Sequence, residues 1–309
     1  MSTVAGVQLT LGPLLYHWPA RKRRDFYFRV ADEAPVDTVY LGEVVCSKRE
    51  PSFEPFFDEV AARLRTGGKR IVVSTLALVT SKREIAAISE LTARGWLIEA
   101  NDVASLQLLS GGAHVVGPHI NVFNEGTRDF LAGRGAVRIV VPAEMPARSI
   151  RILAATAGGT GIEVQVFGRQ ALAVAMRCYH ARSHNLTKDH CQLVCGLDPD
   201  GLAASSIDGR EILSINGTQT LTSGYCVHLS ELDALREYGV THFRLSPQDI
   251  DMVLVARCYR DVLDGKMSAD DALQALRAVT GDVAYLNGFL HGREGLAWSQ
   301  ARLDRSGAA

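Results

Sequence analysis

No stretch of about 18 uninterrupted apolar residues occurs in this 309-residue chain, so a membrane-spanning helix is not expected. Positive charge is not in surplus either. The 33 Lys and Arg meet 34 Asp and Glu for a formal net charge of −1, which offers DNA no generic attraction. The opening MSTVAGVQLTLGPLL lacks the basic segment and long apolar run of a secretory signal. There is no H-E-x-x-H, no G-x-S-x-G, and no G-x-G-x-x-G that follows a strand and opens a helix. The usual marks of a zinc peptidase, a serine hydrolase and a dinucleotide fold are therefore missing. Cysteine is sparse, six residues in all, and unevenly spread, which argues against a disulfide framework and for a reducing cytoplasm.

Hydrophobic residues make up 47% of the chain and charged residues 22%, enough for a substantial core. Apolar strand-like runs alternate with amphipathic helical stretches over the first two-thirds. The strand candidates are 7–16, 37–43, 70–77, 97–100, 114–123, 137–142 and 162–168. Helices are expected between them, for example over 53–64, 81–93, 104–110 and 148–157, stopped by glycines such as Gly95 and Gly135. Near-continuous apolar strands suit a parallel sheet covered by helices. After Gly168 the rhythm breaks, then returns with a helix at 229–238, an eighth strand at HFRLSP and a helix at 249–263. The expectation is an α/β fold, a TIM-barrel-like β/α barrel filling residues 1–309 as one domain. A cysteine-bearing insertion at 169–228 follows the seventh strand, and 268–309 forms a helix and a Gly-rich tail.

In such a barrel the loops after the strands form the functional face. Those loops carry Glu43 and Cys46, then Glu99, Asn101 and Asp102, then His119, Asn121 and Asn124, then Glu144, Arg169, and finally Arg244, Ser246 and Gln248. Glu99, Asn121, Glu144 and Arg244 are the catalytic candidates, with Arg244 the best anchor for an anionic donor. Asp102 is equally readable as a helix N-cap, and His119 as a structural histidine. The run Arg21–Arg24 opens a helix and reads as a solvated face or as a contact for an acidic partner or RNA.

Cys178, Cys191 and Cys195 sit in one polar segment, MRCYHARSHNLTKDHCQLVCG, with Cys46 far upstream. Clustered thiolates are soft ligands that select iron–sulfur clusters or zinc. His180, His184 and His190 keep a Cys₃His zinc site open, although the tight C-x₂-C knuckle is absent. Spacing leaves Cys46 and Cys226 both available as a fourth ligand. Cys258 lies in the helical pattern VLVARCYRDVL and reads as a core thiol.

The segments LGPLLYHWP, VDTVYLGEVVCSKR, IVVSTLALV, EANDVASL, GPHINVFN, VPAE, MRCYHARSHNLTKDHCQLVC and INGTQTLTSGY follow in this order over nearly the whole chain. Together they resemble the collagenase-like peptidase family, and within it the branch that acts in oxygen-independent ubiquinone biosynthesis. The resemblance implies a 4Fe-4S cluster on Cys46, Cys178, Cys191 and Cys195. In the sister protein UbiU the fourth cysteine comes later, which keeps Cys226 as the runner-up. It also implies a heterodimer with a UbiU-type protein and a UbiT-type lipid-binding protein that presents the polyprenylated aromatic substrate. The implied reaction is ring hydroxylation without dioxygen, with prephenate as oxygen donor. The chain is then either a catalytic or electron-transfer subunit or a non-catalytic, cluster-stabilised scaffold. Peptidase activity, or RNA hydroxylation as in another branch, remains as the family-level alternative.

Overall fold

Eight short strands pair side by side in parallel and close on themselves. The structure, a computed structural model, describes residues 6–301 and 303. The first seven strands alternate with helices: β1 (Gln8–Leu11), α1 (Ala20–Glu33), β2 (Thr38–Gly42), α2 (Glu50–Thr66), β3 (Arg70–Ser74), α3 (Lys82–Ala93), β4 (Leu97–Ala100), α4 (Val103–Leu109), β5 (His114–Val116), α5 (Glu125–Ala132), β6 (Ala136–Val140), α6 (Ala147–Ala155) and β7 (Gly161–Gly168). Next comes an insertion of β8 (Ala171–Val174), α7 (Tyr179–Ser183), β9 (Leu202–Ser205), β10 (Glu211–Asn216), β11 (Gln219–Thr222) and β12 (Tyr225–Val227). The chain ends with α8 (Leu232–Glu237), β13 (His242–Leu245), α9 (Met252–Leu263), α10 (Ala269–Thr280) and β14 (Tyr285–Leu286). β13 pairs in parallel with both β7 and β1, with Arg244 opposite Gln165 on one side and Thr10 on the other. That double pairing closes the ring as a TIM-barrel-like α/β fold.

The apolar runs become strands because both of their faces are covered. Val39, Tyr40 and Leu41 of β2 have no exposed surface. One cluster of aliphatic and aromatic side chains fills the space between barrel and helices, and Tyr40, Val72, Val115 and Val140 form a separate small cluster. Loop chemistry sets the helix starts. Ser81 caps α3 in a capping box with Glu84, and Asp102 and Asn124 accept from the first turns of α4 and α5. Those caps account for two of the strand-end polar residues. The basic run on α1 is also partly internal: Arg23 is buried and donates to the Gly42 carbonyl at 2.7 Å, while Lys22 pairs with Asp249 at 2.6 Å.

Several boundaries differ from the sequence expectation. The run 114–123 is a strand only to Val116, because Gly117-Pro118 ends the pairing and a single 3₁₀ turn follows. The helix expected from 229 begins at Leu232, and the run 7–16 leaves the sheet after Leu11. The insertion holds a four-stranded antiparallel sheet, ordered β8-β11-β10-β9, in place of a strand and irregular hairpin. Its outer strands, ALAV and LAAS, are short and alanine-rich and carry little strand signal. Within the segment read as a Gly-rich tail, Tyr285–Leu286 forms β14 beside β12.

Candidate functional site

The loop after β2 is shaped from below by a carboxylate. Glu43 is buried, and its Oε1 accepts from the backbone N–H groups of Val45 at 2.9 Å and Cys46 at 3.2 Å. A single 3₁₀ turn, Ser47–Arg49, then leads into α2 and brings Arg49 inward. From above, Thr218 Oγ1 donates to the Val45 carbonyl at 2.9 Å. Thr218 and Gly217 form the two-residue turn between β10 and β11. Gly217 takes φ +63°, as the first central residue of a type II′ hairpin requires. A Cβ there would stand 2.6 Å from Arg49 Nη2, so only glycine fits against the guanidinium.

The inserted segment supplies the other thiols. Cys178 caps the one-turn helix α7, its Sγ accepting from Ala181 N–H at 3.4 Å. Between Cys191 and Cys195 the chain passes through two consecutive left-handed non-glycine residues, Gln192 (φ 50°) and Leu193 (φ 55°). Strain of this kind persists only where surrounding structure enforces it, and it gathers at functional sites. Lys48 Nζ donates to the carbonyls of Lys188 at 2.7 Å and Asp189 at 3.2 Å, so the two segments are laced together.

These contacts bring Cys46, Cys178, Cys191 and Cys195 to the wall of one small pocket, with Arg49, Lys188, Gly217 and Thr218 completing its lining. No carboxylate and no imidazole lines it. His180 is buried and turned to Asp198 at 2.8 Å, His184 stacks on His180, and His190 is exposed beside Thr187. Cys226 lies elsewhere, buried on β12 with Gln165 Nε2 at 3.8 Å, and Cys258 is buried on α9. Among the described residues no three His, Cys, Asp or Glu side chains are arranged to hold a single metal ion. A tetrahedral zinc site with bonds of about 2.3 Å would draw its sulfurs to within about 4 Å of one another. Four thiols ringing a shared void, with two cations nearby, are a donor set for a soft and larger group. Burial pushes the Cys46 and Cys195 thiols up, and the Arg49 charge pulls both back down.

A second pocket of about 250 Å³ opens at the barrel mouth, lined by His119, Asn121, Glu144, Gln165, Arg244 and strand β8. Asn121, Glu144 and Arg244 thus share a cavity, while Glu99 lies outside its lining and bonded to Arg244. Arg244 does not offer the free guanidinium expected of an anion anchor. Its Nη2 donates to Glu99 Oε1 at 2.7 Å, its Nε to Glu163 Oε1 at 2.8 Å, and its plane lies 4.1 Å from the Tyr40 ring centroid. Glu163 in turn accepts from Thr10 at 2.7 Å and Tyr40 at 2.6 Å and pairs with Arg138 at 3.3 Å. Desolvation opposes ionisation of Glu163, yet the Arg244 and Arg138 charges hold its carboxyl well below the usual range. This ionic layer went unread in the sequence, where its one signal was an acid inside the apolar run IEVQVFG. Burial pushes His119 down to about 4. Asn121 takes φ 60°, a left-handed turn that asparagine tolerates.

The remaining strand-end groups brace the loops. Asn101 Nδ2 donates to the Thr75 carbonyl at 3.1 Å, and Gln248 accepts from Tyr16 at 2.9 Å. Arg169 pairs with Asp200 at 2.9 Å.

A family model described as peptidase family U32 matches residues 27–300. The chain belongs to that family. Among solved structures, a chain of the tryptophan synthase complex from Pyrococcus furiosus is similar over 88% of this chain and 97% of its own, at 10% identity and a TM-score of 0.38. In this U32 protein two histidines meet carboxylates, His180 with Asp198 and His291 with Glu231 at 2.9 Å. In both, the other ring nitrogen, Nδ1, is buried without a hydrogen-bond partner. A nucleophile–histidine–acid relay needs that second nitrogen on a hydroxyl or thiol, so neither pair is a peptidase triad. No helix of the U32 protein is long and apolar enough to cross a membrane, among the described residues.

Proposed function

We propose that this U32 protein is a UbiV-type iron–sulfur subunit of an oxygen-independent hydroxylase, acting on the aromatic ring in anaerobic ubiquinone biosynthesis. The observation that carries the proposal is the pocket walled by Cys46, Cys178, Cys191 and Cys195, drawn from a barrel loop and from the insertion. An all-thiol donor set without carboxylate or imidazole suits a 4Fe-4S cluster better than zinc. Bound by four thiolates, such a cluster has one protein ligand on each iron and supplies electron transfer or cross-linking. A UbiU-type partner would complete the enzyme, a UbiT-type protein would present the polyprenylated substrate, and prephenate would donate the oxygen.

Sheet β8-β11-β10-β9 supports a link between cluster and substrate pocket. Its β8 lines the barrel mouth, its β10–β11 turn lines the thiol pocket, and Val174 of β8 pairs with Gln219 of β11. In the mouth, His119 held neutral and Asn121 can orient a ring or carbonyl by hydrogen bonds. A second reading, a cluster-stabilised scaffold that completes its partner's site, is favoured by one observation. Arg244 is already paired with two buried carboxylates, leaving the mouth without a free guanidinium for a dianionic donor.

The test is an anaerobic assay of the purified complex with UbiU-type and UbiT-type proteins, substrate and prephenate. His119→Ala and Asn121→Ala variants that keep their iron and their partner but lose hydroxylation would place chemistry in this chain. Full activity in both supports the scaffold. A complex with no prephenate-dependent hydroxylation contradicts both readings.

A further inference from the structure

Arg49 is 1% exposed, yet no carboxylate partners it among the described residues. Its Nη1 donates to the Leu15 carbonyl at 2.7 Å and its Nη2 to Asn216 Oδ1 at 3.0 Å, both neutral acceptors. Asn216 is itself fixed by donating to the same Leu15 carbonyl at 2.8 Å. Arg49 Nε is buried with no partner at all. The other arginines of comparable burial are treated differently: Arg244 holds two glutamates and Arg128 pairs with Asp129 at 2.7 Å. A buried cation without a counter-charge is strongly destabilising. What Arg49 does face is the thiol pocket, whose wall it forms together with Cys46, Cys178, Cys191 and Cys195.

We infer that Arg49 is the built-in counter-charge of the cysteine site, and that it raises the reduction potential of the thiolate-bound cluster. This rests on the cluster reading above. Four thiolates on a 4Fe-4S core make an anion, and adding one electron makes it more negative without forming or breaking a bond. A fixed cation at the wall stabilises the reduced state more than the oxidised one, and in a buried site water screens this little. Arg49 is a positioning residue that acts through the cluster. Lys188, the second cation of the wall, is only partly buried and is better screened.

The experiment compares anaerobically reconstituted full-length wild type, Arg49→Lys, Arg49→Gln and Asn216→Asp. Iron content is measured first, then the midpoint potential by mediated titration with dithionite, followed by electron paramagnetic resonance. Arg49→Lys should hold iron and stay near wild type. Arg49→Gln should hold iron and lose about tenfold or more in its reduction equilibrium, about 59 mV for one electron. Should Arg49→Gln fail to fold, Asn216→Asp keeps the guanidinium, offsets its charge and should lower the potential in the same direction. Iron in every variant with equal potentials overturns the role of Arg49 alone, as does a wild-type cluster that dithionite does not reduce. A wild-type chain that takes up no iron overturns the cluster and this role together.

Discussion

Thr218 Oγ1 donates a buried hydrogen bond of 2.9 Å to the Val45 carbonyl, tying the hairpin turn of the insertion to the loop that carries Cys46. The Lys48–Lys188 contact is its exposed counterpart. The site is therefore a joint between two segments that meet only in the closed barrel, and its geometry depends on bonds outside the cysteines.

Replacing Thr218 with Val keeps the shape and removes the donor, leaving the Val45 carbonyl without this partner. The expected loss is about 1–3 kcal/mol in denaturant unfolding. Iron loss to a chelator should also quicken. Unchanged stability together with unchanged chelation would show that the joint does not depend on this bond.

Cys46→Ala, Cys178→Ala, Cys191→Ala and Cys195→Ala should each lose the cluster's visible absorption and most of the iron. Cys226→Ala and Cys258→Ala should keep both, since these thiols lie on β12 and α9 away from the pocket. Loss of iron in Cys226→Ala with full retention in Cys46→Ala would reverse the assignment of the fourth ligand.

Arg244→Met leaves Glu99 and Glu163 without their shared cation, and a broken buried pair typically costs about 3–5 kcal/mol. In the wild type the folded Glu163 pKa is depressed. Its stabilisation is therefore fully present above the unfolded glutamate value, about 4.3. It is lost as pH falls from there through the lower folded value. Thermal unfolding of both proteins between pH 3 and pH 7 checks this, and an Arg244→Met protein as stable as wild type at neutral pH would contradict it.

Burial pushes His119, His228 and His242 down from 6.5 to about 4. Between those values the unfolded chain binds protons that the folded chain refuses, so stability should fall as pH drops from 6.5 towards 4. The denaturant midpoint should decline over that window, and His228→Asn should flatten the decline. Ring-carbon resonances of His119 titrating near 6.5 would remove its part in the effect.

The barrel was legible because its strands are unbroken apolar runs such as DTVYLGE and RIVVSTLA, separated by glycine-stopped helices. The thiols were legible as residue types, but spacing kept Cys46 and Cys226 both within reach. Strand order separates them: β12 pairs with β7 and turns Cys226 towards Gln165, while the β10–β11 turn folds over the Cys46 loop. The ionic layer around Glu163 was not legible. Its members come from β1, β2, β4, β6, β7 and β13, and only ring closure points them at one axis. The role of Arg49 was hidden for a related reason, since a loop arginine after a strand reads as solvated until a distant hairpin covers it.

The most direct measurement is the iron and acid-labile sulfide content of the wild-type chain, purified without oxygen from cells replete in both. About four irons and about four sulfides per chain are expected, as for a thiolate-bound cubane. One zinc per chain with no sulfide, or no metal at all, would contradict the account.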